Sequence, residues 1–193
     1  MSSCPGFFSL TGDWFSMDSD QELIELVNQG DPDAFEALYR RYRDWVYRLA
    51  WRFTGNRQDT LDVLQETFIY LLGKFPGFSL TASMTTFLYP VVRHLSLAVR
   101  SKKRRFITDE EILSELPAPA LKDTQSSRSE LAAVLTVLPD EQREVLLMRF
   151  VDDMALQEIA TALNIPIGTV KSRLHHALQR LRNDRRTRDY FLE

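Results

Sequence analysis

A single cysteine, Cys4, is all that this chain of 193 residues offers to thiol chemistry. An intrachain disulfide is therefore impossible, and a cysteine-based metal site has no ligands to assemble. The three histidines, His94, His175 and His176, are too few and too poorly spaced for a zinc set. Glycine is scarce, and no Gly-rich loop of the kind that cradles phosphates occurs. No apolar run reaches the length of a membrane span, so no membrane insertion is expected. Neither a nucleophile-and-base arrangement nor a ligand cluster marks an enzyme, and no cofactor or metal is called for. Residues 1–16 lack the basic start and sustained apolar core of a signal peptide, which points to a reduced, cytoplasmic protein. Met17 opens a more helix-like stretch, so residues 1–17 read as a leader, either disordered or not translated.

Net charge is also lacking: 24 Lys and Arg stand against 27 Asp and Glu. The total alone does not suggest nucleic acid, but the distribution does. Arg100, Lys102, Lys103, Arg104 and Arg105 form one basic cluster, and Arg180, Arg182, Arg185, Arg186 and Arg188 form another. Two local basic surfaces on an otherwise acidic chain allow selective rather than indiscriminate binding to DNA.

What the chain does have is helical periodicity throughout, most informatively from Leu138 to Arg182. Val145, Leu146, Met148 and Phe150 supply the apolar surface of a first helix, opened by Pro139. Leu156, Ile159, Ala160 and Leu163 recur at helical spacing on a second, which Asn164 and Pro166 end. Ile167, Val170, Leu174, Ala177 and Leu181 make the stripe of a third. Opposite that stripe lie Gly168, Ser172, His176 and Gln179, with Thr169 and His175 beside them and Lys171 and Arg173 on the flanks. Short or polar side chains with basic shoulders suit a DNA groove, the centre reaching base edges and the shoulders the phosphates. The layout is that of a helix-turn-helix.

The N-terminal half reads as a second helical domain. Asp18, Ser19 and Asp20 can cap a helix carrying Leu23, Ile24, Leu26 and Val27, closed by Gly30. Asp31-Pro32 starts the next, whose stripe is Phe35, Leu38, Tyr42, Trp45, Leu49 and Phe53, closed by Gly55. In a helix over about 57–74, Leu61, Leu64, Phe68, Leu71 and Leu72 form the expected buried side. Asp62, Gln65, Glu66, Ile69 and Tyr70 lie around it. An acidic pair beside exposed hydrophobes fits a docking face for a basic partner, and by physics alone fits an ordinary solvated face equally well.

After the loop from Phe75 to Met84, a helix carries Leu88, Val91, Val92, Leu95 and Val99 on one face. Thr86, Tyr89, Arg93, Ser96 and Arg100 recur on another, a mixture of hydroxyls, an aromatic ring and arginines that can track a single strand and stack a base. Pro90 removes a helical hydrogen bond at a cost of roughly 3 kcal/mol in a regular interior, so the helix is expected to kink there or start late. Between Phe106 and Ser127 the pattern weakens into a tether, with one short helical segment at Asp109–Leu116. The fold class is all-α: two small helical domains on a flexible linker, the C-terminal one a helix-turn-helix. The divisions fall at 1–17, 18–105, 106–127 and 128–193.

In order and spacing, DPDAFEALYRRY, DVLQETFIYL, TTFLYPVVRHLSLAVRSKKRR and LPDEQREVLLMRF…IGTVKSRLHHALQRLR resemble bacterial RNA polymerase sigma factors of the extracytoplasmic function (ECF) group. The resemblance spans about residues 20–183. It implies a factor that joins core RNA polymerase, directs it to promoters and helps melt them. The helix containing Asp62, Gln65, Glu66 and Ile69 would dock on the β′ clamp helices, with Leu64 and Phe68 packing beneath. The segment from Phe75 to Arg105 would open the minus-ten element and hold its melted non-template strand, through Phe75, Phe78, Thr86, Tyr89, Arg93 and Arg100. The third C-terminal helix would read the duplex minus-thirty-five element, with Lys171, Ser172, His175 and His176 nearest the bases and Thr169 and Arg173 nearer phosphates. An anti-sigma factor is a further implied partner. The chain departs from the family pattern at Phe87, where tryptophan is usual, at Pro90, in a longer preceding loop, and at His176, where arginine is common. A stand-alone helix-turn-helix regulator is the alternative.

Overall fold

The structure, a computed structural model, describes residues 19–107, 135–184 and 187, including their side chains except those of 103–107. The leader, most of the tether with its Asp109–Leu116 segment, and Arg185, Arg186 and Arg188 lie outside the described residues. Those described form seven α-helices and no strand. Four belong to the N-terminal half: α1 (Asp20–Asn28), α2 (Pro32–Thr54), α3 (Arg57–Leu72) and α4 (Met84–Ile107). Three belong to the C-terminal half: α5 (Asp140–Phe150), α6 (Leu156–Leu163) and α7 (Ile167–Asn183). No described helix is long and apolar enough to cross a membrane.

The helix ends follow local chemistry. Ser19 accepts from the Glu22 amide while Glu22 accepts from the Ser19 amide, a reciprocal cap on α1. Asp31 caps α2 by accepting from Asp33 N at 2.9 Å, with Pro32 pre-set in the first turn. Gly55 closes α2 at φ 69°, in the left-handed region where a side chain would be strained. Asn56 then caps α3 by accepting from Asp59 N at 2.9 Å. Asn164 takes φ 53° at the end of α6 and makes the tight turn into α7.

Two expectations change on α3 and α4. Leu61 and Leu72 are exposed, and the packed face is built instead on Thr60, Val63, Thr67, Phe68 and Leu71. The threonines can be buried because their hydroxyls donate back along the chain, Thr60 to Asn56 O at 2.6 Å and Thr67 to Val63 O at 2.7 Å. Polar by type, they fill the interior without an unmet hydrogen bond, and this turns two leucines outward. Helix α4 does not start late: it begins at Met84 and continues through an exposed Pro90. On α5, Phe150 is likewise exposed rather than packed.

The N-terminal helices close around Leu38, Val46, Leu49, Val63, Leu71, Leu88 and Val92. In the C-terminal set, α5 and α7 share Leu138, Leu146, Ala177 and Leu181. Arg143 secures the entry to α5 by donating to the carbonyls of Leu135 and Leu138, both at 2.8 Å. The two halves pack on each other. Helix α6 lies against α4, and Met154, Ile159, Ala160 and Ala162 belong to the same apolar cluster as Leu88, Tyr89 and Val92.

Candidate nucleic-acid interfaces and docking face

Helix α7 presents the face anticipated from its sequence. Val170, Ala177 and Leu181 are buried, while Lys171, Ser172, His175 and His176 are exposed and Thr169 is half-buried. The Ser172 hydroxyl donates to Thr169 O at 3.0 Å, which keeps it short and close to the helix. The rings of His175 and His176 meet edge to face at 5.8 Å. A Cβ added at Gly168 would meet nothing within 4 Å, so the N-terminal end of the face is clear for close approach. Arg173 is different: its guanidinium pairs with Glu141 of α5 at 2.5 Å.

The loop from Phe75 to Ser83 is held by a residue the sequence reading did not single out. Asn28, the last residue of α1, accepts from the amides of Gly77 at 2.6 Å and Phe78 at 3.1 Å and donates to Phe78 O at 2.8 Å. Gly77 itself takes φ 96°, which favours glycine. Pinned this way, Phe78 sits between Phe75 (5.4 Å between ring centres) and Phe87 (4.9 Å), and Phe87 stacks on Tyr70 at 6.4 Å. Beside these rings opens a cleft of about 610 Å³, lined among others by Ser79, Thr81, Thr86, Phe87 and His94. Aromatic rings and hydroxyls lining one cleft can stack a base and hydrogen-bond its edge. Asn28→Ala removes one acceptor and one donor from three loop hydrogen bonds, two of them part-buried and one exposed, and should cost about 1–2 kcal/mol. Its measure is the denaturation midpoint, together with faster hydrogen exchange at the Gly77 and Phe78 amides.

Of the residues expected on the strand track, only some reach the surface. Phe75 and Phe78 are half-buried, Arg100 is exposed, and Thr86 and Ser96 are buried. Tyr89 is 1% exposed. The cover is the C-terminal domain. Tyr89 Oη donates to Glu144 Oε1 at 3.0 Å, and Arg93 Nε donates to the same oxygen at 2.6 Å. Burial, reinforced by the Glu144 charge, pushes the Tyr89 phenol above its ordinary range. A second contact joins Arg52 of α2 to Asp152 at 2.5 Å, in the turn between α5 and α6. Burial raises the Asp152 carboxyl and Arg52 works against that rise. A third group, Glu158 of α6, is held below the usual carboxylate range by the Ser83 hydroxyl at the start of α4 and by the Ala155 amide.

On α3, Asp62, Gln65 and Glu66 are exposed, and Ile69 is 53% exposed. Gln58 Nε2 donates to Asp62 Oδ1 at 3.1 Å. Alongside runs a shallow groove of about 310 Å³ between α2 and α3, lined by Phe35, Tyr39, Leu61, Leu64, Gln65, Phe68, Ile69 and Leu72. The two leucines expected in the core therefore widen an apolar strip flanked by acids. Phe68 and Leu64 lie beneath it as packing, and the Phe68 ring contacts Tyr39 at 4.7 Å.

A helical pair of domains with a clear helix-turn-helix face, a separate aromatic cleft beside a basic helix, and an acid-flanked apolar strip defines a DNA-reading factor that also docks on a protein. Residues 38–106 match the family model of Sigma-70 region 2, and residues 134–183 match that of Sigma-70, region 4. The chain belongs to the sigma-70 family of RNA polymerase sigma factors, in its ECF group. It is 32% identical to the ECF RNA polymerase sigma factor SigW of Bacillus subtilis, over 86% of this chain and 96% of SigW. It is 30% identical to the RNA polymerase sigma-H factor of Pseudomonas aeruginosa, over 84% of this chain and 91% of that protein. Among solved structures, CnrH in complex with the cytosolic domain of CnrY aligns with a TM-score of 0.60 at 20% identity, over 84% of this chain and 94% of CnrH. The sigma factor RpoE in complex with the anti-sigma factor NepR from Bartonella quintana aligns with a TM-score of 0.61 at 18% identity, over 77% and 94%. Both structures share the fold.

Proposed function

We propose that this ECF sigma factor carries out promoter-directed initiation with its two halves in separate roles. The N-terminal domain, residues 18–105, docks on the β′ clamp helices of core RNA polymerase through Asp62, Gln65, Glu66 and Ile69. It also holds the melted minus-ten strand through Phe75, Phe78, Thr86, Tyr89, Arg93 and Arg100. The C-terminal domain, residues 128–193, reads the minus-thirty-five duplex through Thr169, Lys171, Ser172, Arg173, His175 and His176. The linker, residues 106–127, lets the two readers span one promoter. Each surface alone binds weakly, and joining them on one polymerase raises the effective concentration of the second once the first has bound. The factor is not itself an enzyme and works in the cytoplasm, where an anti-sigma protein is its regulatory partner.

The observation that supports this reading best is the pairing, on one chain, of the exposed α7 face with the exposed acid-flanked strip of α3. A stand-alone regulator would leave that strip without a use. Reconstituted transcription provides the test. Core polymerase plus this chain should start transcripts at defined sites on genomic templates, and core alone should not. Absence of site-specific initiation would overturn the proposal.

A further inference from the structure

One side chain decides where the aromatic loop rests. Among the described residues, no backbone-to-backbone hydrogen bond involves residues 76–82, so this segment lacks the pairing that ordinarily fixes a chain's path. Asn28 supplies bonds in its place. Its Oδ1 accepts from the Gly77 and Phe78 amides, and its Nδ2 donates to the Phe78 carbonyl. Phe78 is thus held on both sides of its backbone, as a strand residue is held by a partner strand. The anchor is itself rigid. Asn28 ends α1, whose Leu23, Ile24 and Val27 are buried in the core and whose first residue, Asp20, bonds Arg41 and Tyr42 of α2. Tyr70, Phe78, Ser79 and Phe87 line the cleft, and Asn28 does not. Whatever Asn28 does to a strand in that cleft, it does through the loop.

Resting on the function proposed above, we propose that Asn28 is a positioning residue for minus-ten recognition: it sets the loop conformation in which Phe78 and Phe87 present a ready stacking wall to an unstacked base. A primary amide suits the task. A carboxylate could accept from the two amides but could not donate to the Phe78 carbonyl, and alanine could do neither. Without the pin, the loop keeps its apolar anchors Phe75, Phe78 and Leu80 but loses the constraint on the Phe78 peptide. An incoming strand must then order the loop before it can stack, and affinity falls by that ordering cost. The loss is confined to the base that uses the wall, because Arg93 and Arg100 are carried on α4 rather than on the loop. Gly77 belongs to the same device. At φ 96° it adopts a conformation that side chains rarely take, yet a Cβ there would meet nothing within 4 Å. Gly77→Ala therefore strains the loop backbone without a clash. Two unrelated substitutions, one on α1 and one in the loop, should converge on one reading.

The test uses holoenzyme, core RNA polymerase saturated with the full chain, so that affinity for core does not enter. The probe is a fluorescein-labelled non-template strand copied from the minus-ten region upstream of a start site that the parent defines in reconstituted transcription. Further copies of the strand each carry one abasic position. With the parent, one position should stand out, its abasic strand binding at least about tenfold more weakly than the intact one. Asn28→Ala should weaken the intact strand about fivefold and reduce that penalty to about twofold, leaving the abasic strand bound as by the parent. Gly77→Ala should reproduce the pattern, and the double variant should lose little beyond either single change, since both act on one loop backbone. A purely structural role would lower the folded fraction and weaken every strand by one factor, keeping the penalty at its parental size. That outcome, or a parental profile for Asn28→Ala, would overturn the positioning role. Should Asn28→Ala prove unfolded at the assay temperature, Asn28→Asp keeps the size and the acceptor, removes only the donor, and should show the same selective loss. If the parent initiates at defined sites but no abasic position stands out, the positioning role falls and the proposed function stands. Failure of the parent to initiate at defined sites removes both.

Discussion

Replacing Asp62 and Glu66 by lysine is expected to abolish capture of core RNA polymerase while leaving the fold intact. Both carboxylates are exposed on α3, one turn apart, and flank the apolar strip made by Leu61, Ile69 and Leu72. Folding should tolerate the change because the pair repels itself before and after substitution, at a few tenths of a kcal/mol in a helix. Only the Gln58–Asp62 bond, which lies at the surface, is lost. Docking is different. Each reversal turns an attraction toward a basic partner into a repulsion at the edge of a desolvated apolar contact, where close charge pairs couple by several kcal/mol. A loss of at least about 100-fold in affinity follows from the two together, at roughly 1.4 kcal/mol per tenfold. The measurement is capture of core enzyme on immobilised factor at fixed ionic strength, with thermal unfolding of the variant as the check on folding. Undiminished capture would remove α3 from the docking surface.

Helix α3 shows what a single sequence can and cannot reveal. Periodicity locates the helix, just as local chemistry locates the ends of α2 at Asp31-Pro32 and Gly55 and of α6 at Asn164, since these residues act within a few positions of themselves. The same periodicity assigned leucines inward by type, but burial is decided by what the neighbouring helices offer. Thr60 and Thr67 go inside because their hydroxyls return to the chain's own carbonyls, so the leucines become available at the surface. The α7 face was legible because an exposed polar face opposite one apolar stripe needs no information from elsewhere. The contacts of Glu144 and Asp152 were not legible. They join residues 51 and 100 positions apart, on helices whose own patterns carry no trace of the partner. Asn28 escaped for the same reason, being an ordinary polar helix end until the loop 49 residues later comes to rest on it. Local chemistry is written in neighbouring residues, and long-range satisfaction of buried polar groups is not.

Introducing acids on α7 should have an effect of similar size with the opposite pattern: core capture preserved, promoter-directed initiation lost. Ser172→Glu/His176→Glu places two carboxylates one turn apart at the centre of an exposed face whose neighbours include Lys171 and His175. Neither residue contributes to the packed stripe of Val170, Ala177 and Leu181, so the domain should remain folded. In a major groove those carboxylates would face base-edge acceptors and flanking phosphates, where short polar groups had allowed close approach. Initiation from promoters that depend on the upstream element should fall by at least about 100-fold, as expected when favourable base contacts worth roughly 1–3 kcal/mol each become repulsive. His176→Arg sharpens the assignment, because a guanidinium favours guanine by a bidentate pair and should redistribute activity among promoter variants at one base position rather than lower it uniformly. Lys171→Ala, if it removes a phosphate contact, should instead weaken all promoters alike and flatten the salt dependence. Transcript start sites mapped for the three variants separate these outcomes. If the double glutamate variant initiates at the parental sites with parental efficiency, α7 is not the reader and the duplex contact must lie elsewhere on the C-terminal domain.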